Sequence, residues 1–126
     1  MKMSIPLMNK FKEMVIPKPK VHALPQLTLS GKWLDEIGFT VGTLVAISYH
    51  DSCLILSTNS NADKTASDAS VLVVESRQIR KHSRTTLIIN GFLLKKYGFN
   101  IGDRVCLHIM PNQIQISKIN RFTVAN

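Results

Sequence analysis

A chain of 126 residues, 44% of them apolar, with sixteen Lys and Arg against eight Asp and Glu for a formal charge of +8, has room for one compact domain or two very small ones. That apolar content excludes wholesale disorder, and no apolar run approaches the ~20 residues of a membrane-crossing helix. The positive balance says nothing about fold but points to polyanions, and for a small basic domain the common polyanion is nucleic acid; plain solubility is the alternative.

The N-terminal stretch MKMSIPLMNKFKEMVIPKPK is interrupted by Lys10, Lys12 and Glu13, so it lacks the apolar centre of a signal peptide. Cys53 and Cys106 have no metal-type spacing and read as small buried apolar groups in a reduced, cytoplasmic protein. The first structured element is KEMVI at 12–16, a strand rich in apolar residues. PKPKVHALPQ follows, where Pro17, Pro19 and Pro25 forbid regular helix or a central strand. LTL at 27–29 is a short strand, and Ser30 stands where it would cap about two turns of helix. Gly38 is placed for the left-handed residue after that helix, with Phe39 folding back on Leu34. TLVAISYH and CLILS, joined by Asp51-Ser52, form a hairpin. TNSNADKTASDAS at 58–70 lacks bulky residues and reads as a linker.

The chain then repeats itself. Residues 27–57 align with 87–117 without a gap, at a constant offset of 60, matching Gly31/Gly91, Leu34/Leu94, Gly38/Gly98, Phe39/Phe99, Gly42/Gly102 and Val45/Val105. VLVVE at 71–75 corresponds to KEMVI, SRQIRKHSRTT to the proline-rich loop, and Asn90 to Ser30 as a helix cap; continued upstream, the offset pairs Lys20 with Arg80 and His22 with His82. The expected units are 11–57 and 71–118. Each has about four short strands and one short helix, too little to bury a core alone. The two are expected to interlock as an intramolecular pseudo-dimer, joined at high effective concentration by the linker. The predicted fold is therefore mainly β: two units fused into one closed barrel-like core, with one short helix each and the possibility of a further homodimer.

The residues PQLTLSGKWLDEIGFTVGTLVAISYHDSCLILS carry a resemblance. The pattern of Pro25, Leu27, Leu29, Gly31, Lys32, Trp33, Leu34, Glu36, Gly38, Phe39, Gly42, Val45, Cys53, Leu54 and Leu56 resembles the core of SymE-like proteins, toxins of type I toxin–antitoxin modules, which are similar in turn to the AbrB/MazE superfamily of swapped-hairpin barrels. The resemblance implies that fold, a cytoplasmic location, a nucleic-acid partner, RNA more than DNA, and RNA cleavage or nucleic-acid binding as the activity. It also implies single-copy relatives that pair as homodimers. Here the copies differ: the first core has Lys32 against Asp35, Glu36 and Asp51, and the second Lys95, Lys96 and Arg104 against Asp103. A binding face made by both is asymmetric.

Arg77, Arg80, Lys81 and Arg84 place four cations in eight residues, and arginine forks suit phosphate oxygens. Lys18 and Lys20 are the weaker cluster of the first unit, and Lys32 adds a cation on its helix. RNA cleavage without a metal requires a base for the 2′-hydroxyl, an acid for the leaving oxygen and cations for the phosphorane charge. His82 and His22, at equivalent loop positions beside basic residues, are the candidate acid and base. Asp35 and Glu36, adjacent on a helix, diverge and read as helix-start charges. Trp33 and Phe92 read as core rather than as base-stacking platforms. No zinc spacing or phosphate loop is present, and no metal or cofactor is expected. The alternative to an RNA-binding, RNA-cleaving protein is a non-enzymatic AbrB-like DNA binder: a regulator, an antitoxin or a nucleoid-compacting protein.

Overall fold

The computed structural model describes residues 10–17, 24–58, 68–79, 81–89 and 91–119. It is mainly β, in the order β1 (Lys10–Val15), β2 (Leu27–Ser30), α1 (Lys32–Glu36), β3 (Leu44–His50), β4 (Cys53–Ser57), β5 (Asp68–Val73), β6 (Glu75–Ile79), β7 (His82–Ile89), α2 (Gly91–Lys96), β8 (Arg104–Met110) and β9 (Gln113–Lys118). A six-stranded sheet runs β1-β8-β9-β4-β3-β5 and a three-stranded sheet β2-β7-β6, every pairing antiparallel. β5 begins at Asp68, inside the stretch read from composition as linker.

The strand order interleaves the two halves of the chain. β1 pairs with β8, β4 with β9 and β2 with β7. Two of these ladders have matching registers. Leu27 faces Ile89 as Leu87 faces Leu29, and Cys53 faces Ser117 as Gln113 faces Ser57. Alternation then sends Leu27, Leu29, Leu54, Leu56, Leu87, Ile89, Ile114 and Ile116 into a single core shared by both sheets and both helices. Phe39 and Phe99 are the largest fully buried side chains in it.

Both helices stop as their sequences require. Gly38 and Gly98 adopt φ of 97° and 96°. Phe39 N–H donates to the Leu34 carbonyl at 2.8 Å and Gly38 N–H to that of Asp35 at 3.1 Å; Phe99 and Gly98 repeat these bonds to Leu94 and Lys95 at 2.9 and 3.1 Å. This is the Schellman pattern, with the apolar residue after the glycine packed inward. The hairpin turns then cross between halves: Ser52 N–H donates to the Tyr97 carbonyl at 2.8 Å and Asn112 N–H to that of Ile37 at 2.7 Å. Each turn closes the end of the other half's helix.

Several expectations need correction. Ser30 does not cap α1. It remains in the β2 ladder opposite Thr86, its carbonyl accepts the Trp33 indole N–H at 3.0 Å, and the cap position falls to Gly31 without a side-chain bond; Asn90 lies outside the described residues. The basic stretch of the second unit is a hairpin, β6–β7, and not a loop. Cys53 and Cys106 are half-buried free thiols, because alternation puts both on the sheet face away from the core. Trp33 packs partly buried against the core, but Phe92 is 70% exposed.

The constant offset of 60 also breaks upstream of β2. Ile16 exchanges backbone bonds with Asp103 and Gly102 at 2.9 and 2.8 Å, and Val74 does the same with Thr43 and Gly42 at 3.0 and 2.9 Å. Ile16 and Val74 thus fill the same role 58 positions apart, and the path onward to Leu27 is two residues shorter than the path to Leu87. The β6–β7 hairpin lies in the longer path, so Lys20 and His22 have no fixed one-to-one correspondence with Arg80 and His82.

Candidate nucleic-acid site

The site is built where the second half's hairpin crosses the first half's helix. β7 runs past the start of α1: Gly31 N–H donates to the Thr85 carbonyl at 3.0 Å, and the Thr85 hydroxyl donates to the Asp35 carboxylate at 2.9 Å to Oδ2 and 3.1 Å to Oδ1. Thr85 is buried at this crossing while Asp35 keeps solvent access. Between them opens a pocket of about 500 Å³ lined by Gly31, Lys32, Asp35, His82, Ser83, Arg84 and Thr85.

The hairpin beside the pocket has an unusual pairing. Arg77 and Arg84 stand directly opposite one another across β6–β7, both exposed. Like charges in that position repel and weaken the ladder. The next rungs are Gln78 opposite Ser83, whose hydroxyl donates to Gln78 Oε1 at 3.3 Å, and Ile79 opposite His82. The result is a pair of guanidinium groups on one face of an exposed edge hairpin, next to a pocket that carries an amine, a carboxylate and an imidazole.

Of the residues singled out from sequence, the pocket gathers Lys32, His82 and Arg84, with Arg77 across the hairpin from Arg84 and Lys81 exposed at its turn. Lys18, Lys20, His22 and Arg80 lie outside the described residues. Sequence reasoning missed Asp35, Ser83 and Thr85 as site residues. Thr85 carries no local signal, and Asp35 acquires its role only through a hydroxyl 50 residues away.

The positions matching the pocket in the other half have different chemistry. At the offset of 60, Gly91, Phe92 and Lys95 stand for Gly31, Lys32 and Asp35, and Pro25, which Gly91 abuts, takes the place of Thr85. Gly91 abuts the Leu24–Pro25 backbone as Gly31 abuts Thr85, so closely that a Cβ there would run into the Pro25 carbonyl. The carboxylate and its hydroxyl partner exist on one side alone. Among the described residues no group of three or more His, Cys, Asp or Glu is placed to hold a metal ion, and no helix is long and apolar enough to cross a membrane.

Comparison with known proteins fits this architecture. The sequence profile of the family described as toxin SymE of type I toxin–antitoxin systems matches residues 10–58, from β1 through β4 with α1 inside it. The endoribonuclease SymE of Salmonella paratyphi C (strain RKS4594) is 34% identical over 65 residues, 52% of this chain and 56% of that protein. The toxic protein SymE of Escherichia coli (strain K12) is 34% identical over 65 residues, covering 52% and 54%. The chain thus spans little more than half the length of these curated relatives. No solved structure matches the chain at a significant level. The pocket straddles the match, with Lys32 and Asp35 inside it and His82 and Arg84 beyond its end. Residues 10–58 of this chain thus match the SymE toxin family, and the curated relatives that match it carry the SymE name.

Proposed function

We propose that this protein is a SymE-like toxin-type endoribonuclease that binds single-stranded RNA along the β6–β7 hairpin and cuts it in the pocket between α1 and β7. The observation that carries the reading is the convergence of Lys32, Asp35, His82 and Arg84 on one pocket from two elements about 50 residues apart in sequence. Its relatives' names, endoribonuclease and toxic protein, support the same reading.

Each group has a role in transesterification by the RNA's own 2′-hydroxyl. Arg84 and Lys32 hold the scissile phosphate and offset the charge that builds on its oxygens; Arg77 holds a neighbouring phosphate. Asp35, fixed by Thr85, takes the 2′-hydroxyl proton as that oxygen attacks phosphorus. His82 gives a proton to the departing 5′-oxygen. The bond to the 5′-oxygen breaks as the bond to the 2′-oxygen forms, leaving a 2′,3′-cyclic phosphate and a free 5′-hydroxyl.

The two halves act as the fused equivalent of a dimer closing one barrel. Reciprocal ladders and crossed turn-to-helix bonds support that arrangement. Fusion frees the halves to diverge, so one crossing keeps the polar pocket and the other does not.

The test is incubation of end-labelled RNA with purified protein in EDTA, beside His82→Ala and Asp35→Asn. Discrete cuts by the native protein, reduced about 10²–10⁴-fold in each variant, are expected. RNA left intact by the native protein, with duplex DNA bound in preference, would replace this reading with that of a non-enzymatic DNA binder.

A further inference from the structure

The two helices present the same positions to solvent with opposite chemistry. On α1 these are Lys32, Asp35 and Glu36; on α2 they are Phe92, Lys95 and Lys96. Residues spaced by three and four share one helix face. Leu94 on the opposite side is fully buried and Leu93 packs against the core. The exposed face of α2 is therefore one aromatic ring, 70% open to solvent, followed one turn on by two cations. Lys96 Nζ lies 5.6 Å above the Tyr97 ring, which keeps its charge beside that face. A single exposed Phe is ordinary. A Phe with two lysines on its own face, on a helix whose first residue is wedged against the Leu24–Pro25 backbone, is a rigid platform of the kind that takes an unpaired base and its phosphates.

We infer that α2 is an anchoring face for single-stranded RNA, with Phe92 stacking on an unpaired base and Lys95 and Lys96 holding the adjacent phosphates. The inference rests on the RNA reading of the α1–β7 pocket and extends it. α1 and α2 leave opposite ends of the β2–β7 ladder, which pairs Leu27 to Ser30 with Ile89 to Thr86. Four residues of strand separate them by about 13 Å, a distance that a few nucleotides bridge. A strand cut beside α1 is held beyond the cut by α2. The charge difference between the helix faces sets the division of labour: the acidic face carries the proton acceptor, and the basic face carries no reacting group.

The experiment is fluorescence anisotropy of a labelled single-stranded RNA and of the same sequence as a duplex, with native protein, Phe92→Leu, Phe92→Trp and Lys95→Gln/Lys96→Gln. Because Phe92 and both lysines are exposed, these variants keep the core. Phe92→Leu is expected to weaken single-strand binding about 5- to 150-fold and to leave duplex binding unchanged, since paired bases offer no free face; Phe92→Trp retains affinity. The double lysine variant lowers the slope of log K against log salt by about 1.4 on the single strand. Equal single-strand affinity for native protein and Phe92→Leu overturns the inference while the pocket reading stands. Equal losses on single strand and duplex also overturn it, because the ring would then not be stacking. Native protein that ignores single-stranded RNA overturns the RNA reading and this inference with it.

Discussion

Gly38→Ala tests the crossed arrangement of the two halves. Gly38 sits at φ 97°, where a side chain is strained by about 1–2 kcal/mol whatever the space around it. A Cβ there also collides with the amide oxygen of Asn112, in the β8–β9 turn of the other half. That oxygen accepts the Thr58 hydroxyl at 3.1 Å, and the Asn112 backbone N–H bonds to Ile37 at 2.7 Å. Displacing Asn112 forfeits at least one hydrogen bond, about 1 kcal/mol more. Gly42 is the internal control: its φ is 91°, and a Cβ there meets nothing within 4 Å. Gly42→Ala therefore costs about 1–2 kcal/mol, and Gly38→Ala about 1 kcal/mol beyond that. In urea the added cost moves the unfolding midpoint down by a further ~0.3–1 M. If Gly38→Ala unfolds at or above the Gly42→Ala midpoint, the packing of the β8–β9 turn on the α1 terminus is wrong.

Other outcomes follow from the same geometry. Arg77→Thr removes one of two directly opposed arginines; thermal unfolding should show the free protein unchanged or stabilised by up to ~0.5 kcal/mol, while RNA affinity in a gel shift falls. Thr85→Val keeps shape but removes the hydroxyl bonded to Asp35, so it should cost about 1 kcal/mol in urea unfolding and slow single-turnover RNA cleavage more than it weakens RNA binding. Trp33→Phe loses the bond to the Ser30 carbonyl and weakens the stacking of Lys12, whose Nζ lies 5.2 Å from the ring; a loss of about 1–2 kcal/mol in thermal unfolding is expected. Residues 1–58 and 68–126 expressed separately should each lack cooperative unfolding, and mixing them should restore it, because β4, β2 and β1 find their ladder partners in the other fragment.

Much of this was legible where local chemistry and long-range structure agree. Gly-Phe after an apolar helix turn marked both Schellman ends, and alternation in QIQIS marked a strand with one wet face. The matched spacing of glycines is the ground for expecting two like units. What escaped notice depended on contacts between those units. The run VLVVE announces a strand, but ESRQI has no apolar period, and β6 forms because β7 offers it a partner. Ser30 has the chemistry of a cap, yet the β2–β7 ladder claims it first. Trp33 and Phe92 both lie beside a Gly-Phe cap, which points to the core for each, but the indole is held by its own N–H bond to Ser30 and a phenyl ring has no such tie, so Phe92 stays exposed. Asp35 reads locally as a helix-start charge, and only the fold places the Thr85 hydroxyl against it. The offset of 60 invited His22 and His82 to be paired, and the 58-residue spacing of Ile16 and Val74 shows why upstream register cannot be read by counting.

The proposed role of the α1–β7 pocket requires that RNA be cut through the substrate's own 2′-hydroxyl. The most direct measurement is cleavage of an RNA carrying a single 2′-deoxyribose immediately 5′ to a mapped cut, with product ends analysed for the unmodified strand. Loss of that one cut, with 2′,3′-cyclic phosphate ends elsewhere and cutting by His82→Ala reduced about 10²–10⁴-fold, is the predicted result. Continued cutting at the deoxy position, or full activity in His82→Ala, would contradict it.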